Sequence, residues 1–184
     1  ELSSLEREAR HAQAAQLLRA AGRPAEIVAA HASVLPPSGQ GWVVDSLHDA
    51  ARIAAQRGGV VSAVSYLRRA IDEPPEPDQY AQLVLELGMA EVMAIEPAPA
   101  AEHLWAAYAA LEHDPLMRAR IAEILSRTML LTAPPEDAVA VVRQAQRDLP
   151  AELADNRRAL AAVESFAANV GGPDIDTRQR LLDA

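Results

Sequence analysis

An all-α chain of antiparallel helical hairpins is the fold class this sequence predicts. Three observations carry the prediction. Apolar residues recur at three- and four-residue spacings along most of the chain, which places them on single helix faces. Half of the 184 residues are hydrophobic, and alanine, the best helix former, is very common. Paired glycines and prolines at Gly58-Gly59, Pro74-Pro75 and Pro134-Pro135 interrupt the stripes, stopping one helix before the next begins.

The clearest hairpin is residues 42–75, WVVDSLHDAARIAAQRGGVVSAVSYLRRAIDEPP. In its first helix Val43, Val44, Leu47, Ala51 and Ala54 share one face. Asp45, His48, Asp49, Arg52 and Gln56 take the other, and Arg57 places a cation in the last turn, where the helix dipole favours it. Gly58 and Gly59 reach positive φ cheaply and turn the chain. The second helix carries Val60, Ala63, Val64, Leu67 and Ile71, with Arg68 and Arg69 near its end, and Pro74 and Pro75 forbid continuation. One such hairpin cannot bury both its faces and needs neighbours.

Before it, Ser3 or Ser4 caps a first helix, with Glu6 and Glu8 at its positive end and Leu5, Ala9, Ala12, Leu17 and Leu18 as its apolar positions. Gly22 ends that helix and Pro24 opens a shorter one, PAEIVAAHASVL. Residues 36–39, Pro-Pro-Ser-Gly, mark a subdomain boundary, dividing a helical segment 1–38 from a repeat region 39–184. After the hairpin, Pro77 and Asp78 begin a helix striped by Tyr80, Leu83, Leu87, Ala90 and Ala94. Residues 96–99 turn the chain into a helix with Ala101, Leu104, Trp105, Tyr108 and Leu111. Asp114 caps the next and Pro115 is its first residue, followed by Leu116, Met117, Ile121, Ile124, Leu125, Thr128 and Leu131. Beyond Pro134-Pro135, Glu136 and Asp137 occupy a first turn, and Ala138, Val141, Val142, Ala145 and Leu149 form the stripe. Pro150 opens a helix with Leu153, Leu160, Val163, Phe166 and Val170, ended by Gly171, Gly172 and Pro173. A last amphipathic segment spans 175–182.

Ala63, Ala101 and Ala138 align, as do the closing prolines Pro74, Pro115 and Pro150. The period is about 35 to 40 residues, the range of tetratricopeptide-like hairpins, which stack as a right-handed superhelix. Leu87-Gly88 fits the close-packing position of such a repeat's first helix, and the third hairpin has no glycine there.

Composition restricts the chemistry. There is no cysteine, which removes disulfides, thiolate metal sites and cysteine nucleophiles and fits a cytoplasmic protein. All 17 basic residues are arginine, so this chain has no phosphate-loop, Schiff-base or general-base lysine. A net charge of −9 argues against direct nucleic-acid binding by this chain. Residues 70–117 contain no arginine, while Asp72, Glu73, Glu76, Asp78, Glu86, Glu91, Glu96, Glu102, Glu112 and Asp114 all occur there. This tract reads first as a solvated acidic face, and second as a docking surface for a basic partner. No eighteen-residue apolar run marks a membrane span. The chain starts at Glu1 without a signal-peptide pattern and reads as a piece of something longer.

Two i,i+3 pairs, Glu8-x-x-His11 and Asp45-x-x-His48, have the spacing used by di-iron bundles, but both fall on faces read as polar, whereas bundle ligands point inward. His31 reads as a packed or capping histidine, and His103 and His113 stand beside acids on expected surfaces. Ser46, Ser62, Ser65, Ser126 and Ser165 lie within helices and lack a nucleophile elbow. Gly39-Gln40-Gly41 is too short for a phosphate cradle. Asp72-Glu73 reads as a helix-end cap or a solvated pair, and Trp42, Tyr66, Tyr80, Trp105 and Tyr108 as core aromatics, with one or two of the five, not singled out, as alternative lining for a ligand groove. No catalytic, cofactor-binding or metal residue is assigned.

The stretch RHAQAAQLLRAAGRPAEIVAAHASVL, with the 42–75 hairpin and QLVLELGMAE after it, resembles the large ATP-binding transcriptional regulators of the LuxR type. The likeness covers residues 8–92, and arginine-only basic usage with high alanine also fits a bacterial gene of high GC content. The resemblance implies that residues 1–38 end an ATPase module and that the repeats after it form a non-catalytic, signal-sensing arm. It implies an effector or protein partner on the concave face, or self-association, with ATP and DNA bound by other segments of the parent. The runner-up reading is an adaptor or self-association scaffold without a small effector. A helical-bundle metal protein is the third.

Overall fold

The computed structural model describes residues 3–171, and the segment expected at 175–182 and the terminators Gly172 and Pro173 lie outside them. Among the described residues there are nine helices and no strand. They are α1 (Ser4–Ala20), α2 (Ala25–Ala32), α3 (Gly41–Gln56), α4 (Val60–Asp72), α5 (Pro77–Met93), α6 (Pro97–Ala110), α7 (Pro115–Met129), α8 (Pro135–Asp148) and α9 (Ala154–Gly171). The all-α expectation holds.

Local chemistry sets the helix ends. Ser3 and Glu6 form a reciprocal capping box at α1: the Ser3 hydroxyl accepts from the Glu6 N–H at 3.3 Å, and the Glu6 carboxylate accepts from the Ser3 N–H at 2.8 Å. That backbone bond, helped by the Ser3 hydroxyl, holds the Glu6 carboxyl below its ordinary range. Asp114 caps α7 through the Met117 N–H at 2.9 Å. Helices α5 to α8 each carry proline in the first turn, where no N–H is needed. For that reason α6 begins at Pro97 and absorbs Pro99, which the sequence reading placed in a turn. By contrast α9 begins at Ala154 rather than at Pro150.

Between α3 and α4, Gly58 sits at φ +78°, and a Cβ on Gly59 would lie 3.2 Å from the Ala54 carbonyl oxygen. Alanine at Gly58 meets the left-handed penalty of L-residues, so Gly58→Ala is expected to cost about 1–2 kcal/mol, measured as a lower urea midpoint at unchanged m-value.

The chain divides into two compact units, one up to Ile95 and one from Glu96. In the first, α1 packs on α2, α2 on α3, α3 on α4 and α4 on α5. The break at 36–39 lies inside this unit as the α2–α3 loop. One core cluster joins Ala29 and Ala32 of α2, Val43, Val44, Leu47, Ala50 and Ala51 of α3, Val64, Leu67 and Ala70 of α4, and Leu83 and Leu87 of α5. In the second unit α6 packs on α7, α7 on α8, and α9 on both α7 and α8. Its buried side chains include Leu104, Ile121, Leu125, Val142, Leu160 and Val163.

The stripes read for α3, α4 and α8 are the buried faces, with Val60 and Ile71 at partly buried edges. Several other assignments need correction. Leu5 and Leu17 of α1 are 75% and 63% exposed, and the packed face runs through Glu8, His11, Ala12, Ala15 and Leu18 instead. Tyr80, Trp105, Leu131, Phe166 and Val170 are also exposed, and in α5 Ala81 and Val84 are buried beside Leu83. In α1 and α5 the alanines that fill these faces are small enough to serve on either side of a helix, so spacing alone misplaces the seam.

Candidate ligand pockets and buried ion pairs

In the first unit, polar side chains stitch the helices together. Glu73, at the C-cap of α4, is fully buried. One carboxylate oxygen accepts from the Ser38 N–H at 2.8 Å, the Ser38 hydroxyl at 3.1 Å and the Gln40 N–H at 2.9 Å. The other accepts from Arg69 Nη2 at 2.9 Å, and the same nitrogen donates to the Leu35 carbonyl. Burial pushes the Glu73 carboxyl up, but these donors outweigh it and hold the group below its ordinary value. Gly39 and Gln40 are therefore part of a loop that Glu73 clasps through Ser38 and Gln40, and Gly41 opens α3. Reading Asp72-Glu73 as a solvated pair was incorrect for Glu73. The solvated-face reading of the 70–117 tract fails at the same place. Glu91 is likewise fully buried, accepting from Arg68 Nε at 3.1 Å and Nη2 at 2.7 Å.

Of the two i,i+3 pairs read on polar faces, Glu8–His11 lies on a packed face, and in the other only Asp45 stays exposed. Glu8 and His11 are on the packed side of α1, and His11 Nδ1 lies 2.9 Å from His31 Nδ1 of α2, so one ring donates and the other accepts. His48 is half-buried, with Nε2 2.8 Å from a Glu86 oxygen of α5, while Asp45 is exposed and accepts from Gln79. Among the described residues no three histidine, aspartate or glutamate side chains gather in a group able to hold a metal ion. Ser46 and Ser126 donate back to the carbonyls of Trp42 and Ala122, and Ser62, Ser65 and Ser165 are exposed. His113 lies on the surface beside Glu112.

The hydrogen bond to Glu86 raises the His48 pKa, against burial. Burial raises Glu86, but the bonds to His48 and Gln82 prevail and lower it. A raised histidine stabilises the fold below its unfolded value near 6.5 and loses that contribution as pH climbs through the folded value. A lowered carboxylate stabilises above about 4.5 and loses it as pH falls through its folded value. The pair therefore contributes most between those values. Relative to His48→Gln, the wild type is expected to lose about 1 kcal/mol of advantage between pH 6 and pH 9 in urea titrations.

Two cavities of about 360 Å³ each open on the units. The first lies on α3, α4 and α5, with an apolar lining that includes Ala51, Ala63, Leu67 and Met89 and polar edges at Arg52, Gln56 and Glu86. The second is lined by Trp105 and Tyr108 of α6, Met129 of α7, and Asp137, Ala140, Val141 and Gln144 of α8. Trp105 stacks on Tyr108 with centroids 5.8 Å apart, and the Arg118 guanidinium lies 4.2 Å from the Tyr108 ring centroid. Arg118 pairs with Asp148 at 3.1 Å. Burial pushes the Tyr108 hydroxyl up, and it has no hydrogen-bond partner among the described residues. A smaller cavity of about 200 Å³ is lined by Ser4, Arg7, Glu8, His11 and Val34. Of the aromatics read as core, Tyr108 is buried, and Trp42 and Tyr66 pack half-buried against the first unit's core.

Asp137 was missed as a pocket residue, and so were Glu73 and Glu91 as buried anchors. Glu91 had a signal: it falls four residues after Leu87 on an otherwise apolar stripe. Comparison with known proteins gives no match to any family model, curated protein or solved structure.

Proposed function

We propose that this chain is a non-catalytic helical-repeat recognition module, a tetratricopeptide-like right-handed array, that binds an effector or protein partner and passes a signal to a larger cytoplasmic protein. The observation that carries this reading is the packing order. Within each unit successive helices pack pairwise, α9 also reaches back to α7, and α3 and α5 meet through His48–Glu86 and Asp45–Gln79. Contacts to the next helix and the next but one are what stacked hairpins make. The pockets, with an open apolar lining and few polar groups, suit binding.

The sequence resemblance supports placing the module in an ATP-binding LuxR-type transcriptional regulator, with residues 1–38 ending the ATPase part and ATP and DNA handled elsewhere. Among the described residues no helix is long and apolar enough to cross a membrane. Effector binding across several repeats would favour one curvature and so shift the parent between states. The test is twofold. The full gene should encode a nucleotide-binding motif before this segment and a helix-turn-helix after it, and a metabolite library should contain a compound that raises the thermal midpoint. Exposed Met89, Val92 and Met93 on α5 favour the adaptor alternative, in which the library gives a flat response and light scattering shows dimers.

A further inference from the structure

We propose that the second-unit pocket walled by Trp105 and Tyr108 and edged by Asp137 binds a small organic monocation that carries an apolar body, such as an arylalkylammonium. The inference rests on the recognition-module reading and names the ligand class of one of its pockets.

Trp105 is 50% exposed, an unusual placement for the largest side chain of a helix whose neighbouring Leu104 and Tyr108 are buried. Its π-face suits a cation or an apolar ring, and an indole is the best cation–π partner among side chains. The neighbouring Tyr108 ring already carries the Arg118 guanidinium, while no cation lies over Trp105 among the described residues. Met129, Ala140 and Val141 supply the apolar part of the lining.

Asp137 supplies the charge. It is the third residue of α8, where an acid ordinarily bonds back to the N-cap N–H. The N-cap here is Pro134, which has no N–H, and Asp137 has no side-chain partner among the described residues. The cations of the same helix are engaged elsewhere, Arg143 with Glu164 and Arg147 with Gln144. Gln144 also donates to Asp148, so both ends of its amide are taken. The lining thus presents one exposed carboxylate with no ion-pair partner among the described residues, beside an aromatic wall, and no arginine for a phosphate or carboxylate ligand. A cavity of about 360 Å³ is near the lower limit for ligand sites and suits a single-ring amine rather than a nucleotide. The net charge of −9 also draws cations toward the chain.

The test is calorimetric titration of the whole chain with three near-isosteres: phenethylammonium, phenethyl alcohol and 3-phenylpropanoate. The cation is expected to bind about tenfold more tightly than the alcohol, with no binding of the anion. Asp137→Asn should weaken the cation about threefold and leave the alcohol unchanged, and Trp105→Leu should weaken both. Circular dichroism of each variant checks folding, and the Trp105 indole N–H resonance of the wild type should shift on adding the cation. Equal affinity for alcohol and cation, an Asp137→Asn variant that binds the cation normally, or no saturable cation binding would each overturn the assignment. A thermal-shift response to some other metabolite would then leave the recognition-module reading standing. A flat library response with dimerisation would remove the effector reading as well.

Discussion

Glu73→Ala is expected to destabilise the first unit by about 3–5 kcal/mol, the cost of breaking a buried ion pair from one side. The carboxylate is fully buried and satisfies two backbone N–H groups, one hydroxyl and one guanidinium. Removing it leaves Arg69 with an uncompensated charge and Ser38 and Gln40 with unmet donors. One guanidinium nitrogen of Arg69 is already buried without a partner, so the arginine has little spare stabilisation. Urea unfolding followed by Trp42 fluorescence in a Trp105→Phe background reads the first unit, because Trp42 packs against its core. Glu73→Gln should cost less, since its carbonyl can still accept from the loop. The wild-type clasp should also weaken in acid: a lowered carboxylate pKa contributes above about 4.5 and fails as pH falls through the folded value. A loss under 1 kcal/mol for the alanine variant would show that the loop is held by something else.

Leu47→Ala is expected to cost about 2–5 kcal/mol by the same assay. Leu47 is fully buried in the cluster that joins α2, α3, α4 and α5, where most neighbours are alanine and valine. Helix backbones packed through such small side chains have little freedom to close over a hole, so the cavity term adds to the lost transfer energy. Leu47→Met keeps the volume and should cost less than about 1.5 kcal/mol. Equal losses from the two variants would mean that branching shape, rather than volume, governs this seam.

The legible part of the fold was the part written in strong amphipathic contrast. In α3 and α8, valines and leucines alternate with aspartate, arginine and glutamine, so the buried face follows from spacing. In α1 the spacing points to Leu5 and Leu17, yet the chain buries Ala15 and half-buries His11 and Leu18. An alanine-rich helix offers several nearly equivalent faces, and the choice among them depends on what packs alongside. Trp105 was misplaced for a related reason: its size argues for burial, but only a covering neighbour can bury it. The candidate pocket was not legible in the sequence: Trp105 and Tyr108 read as two of five core aromatics, and Asp137 comes from a different helix of the unit.

The sequence by itself determined that the described chain is helical and nearly where each helix starts and stops. Those outcomes depend on interactions spanning four residues or fewer: the Ser3–Glu6 box, the Asp114 cap, the Gly58 turn and the first-turn prolines. Tertiary structure alone decided which polar groups left water. Glu73 meets Ser38 across 35 residues, His48 meets Glu86 across 38, and His11 meets His31 across 20. No local rule encodes such pairings, because a charge enters the interior only when a packed neighbour brings the compensating group to within hydrogen-bond distance.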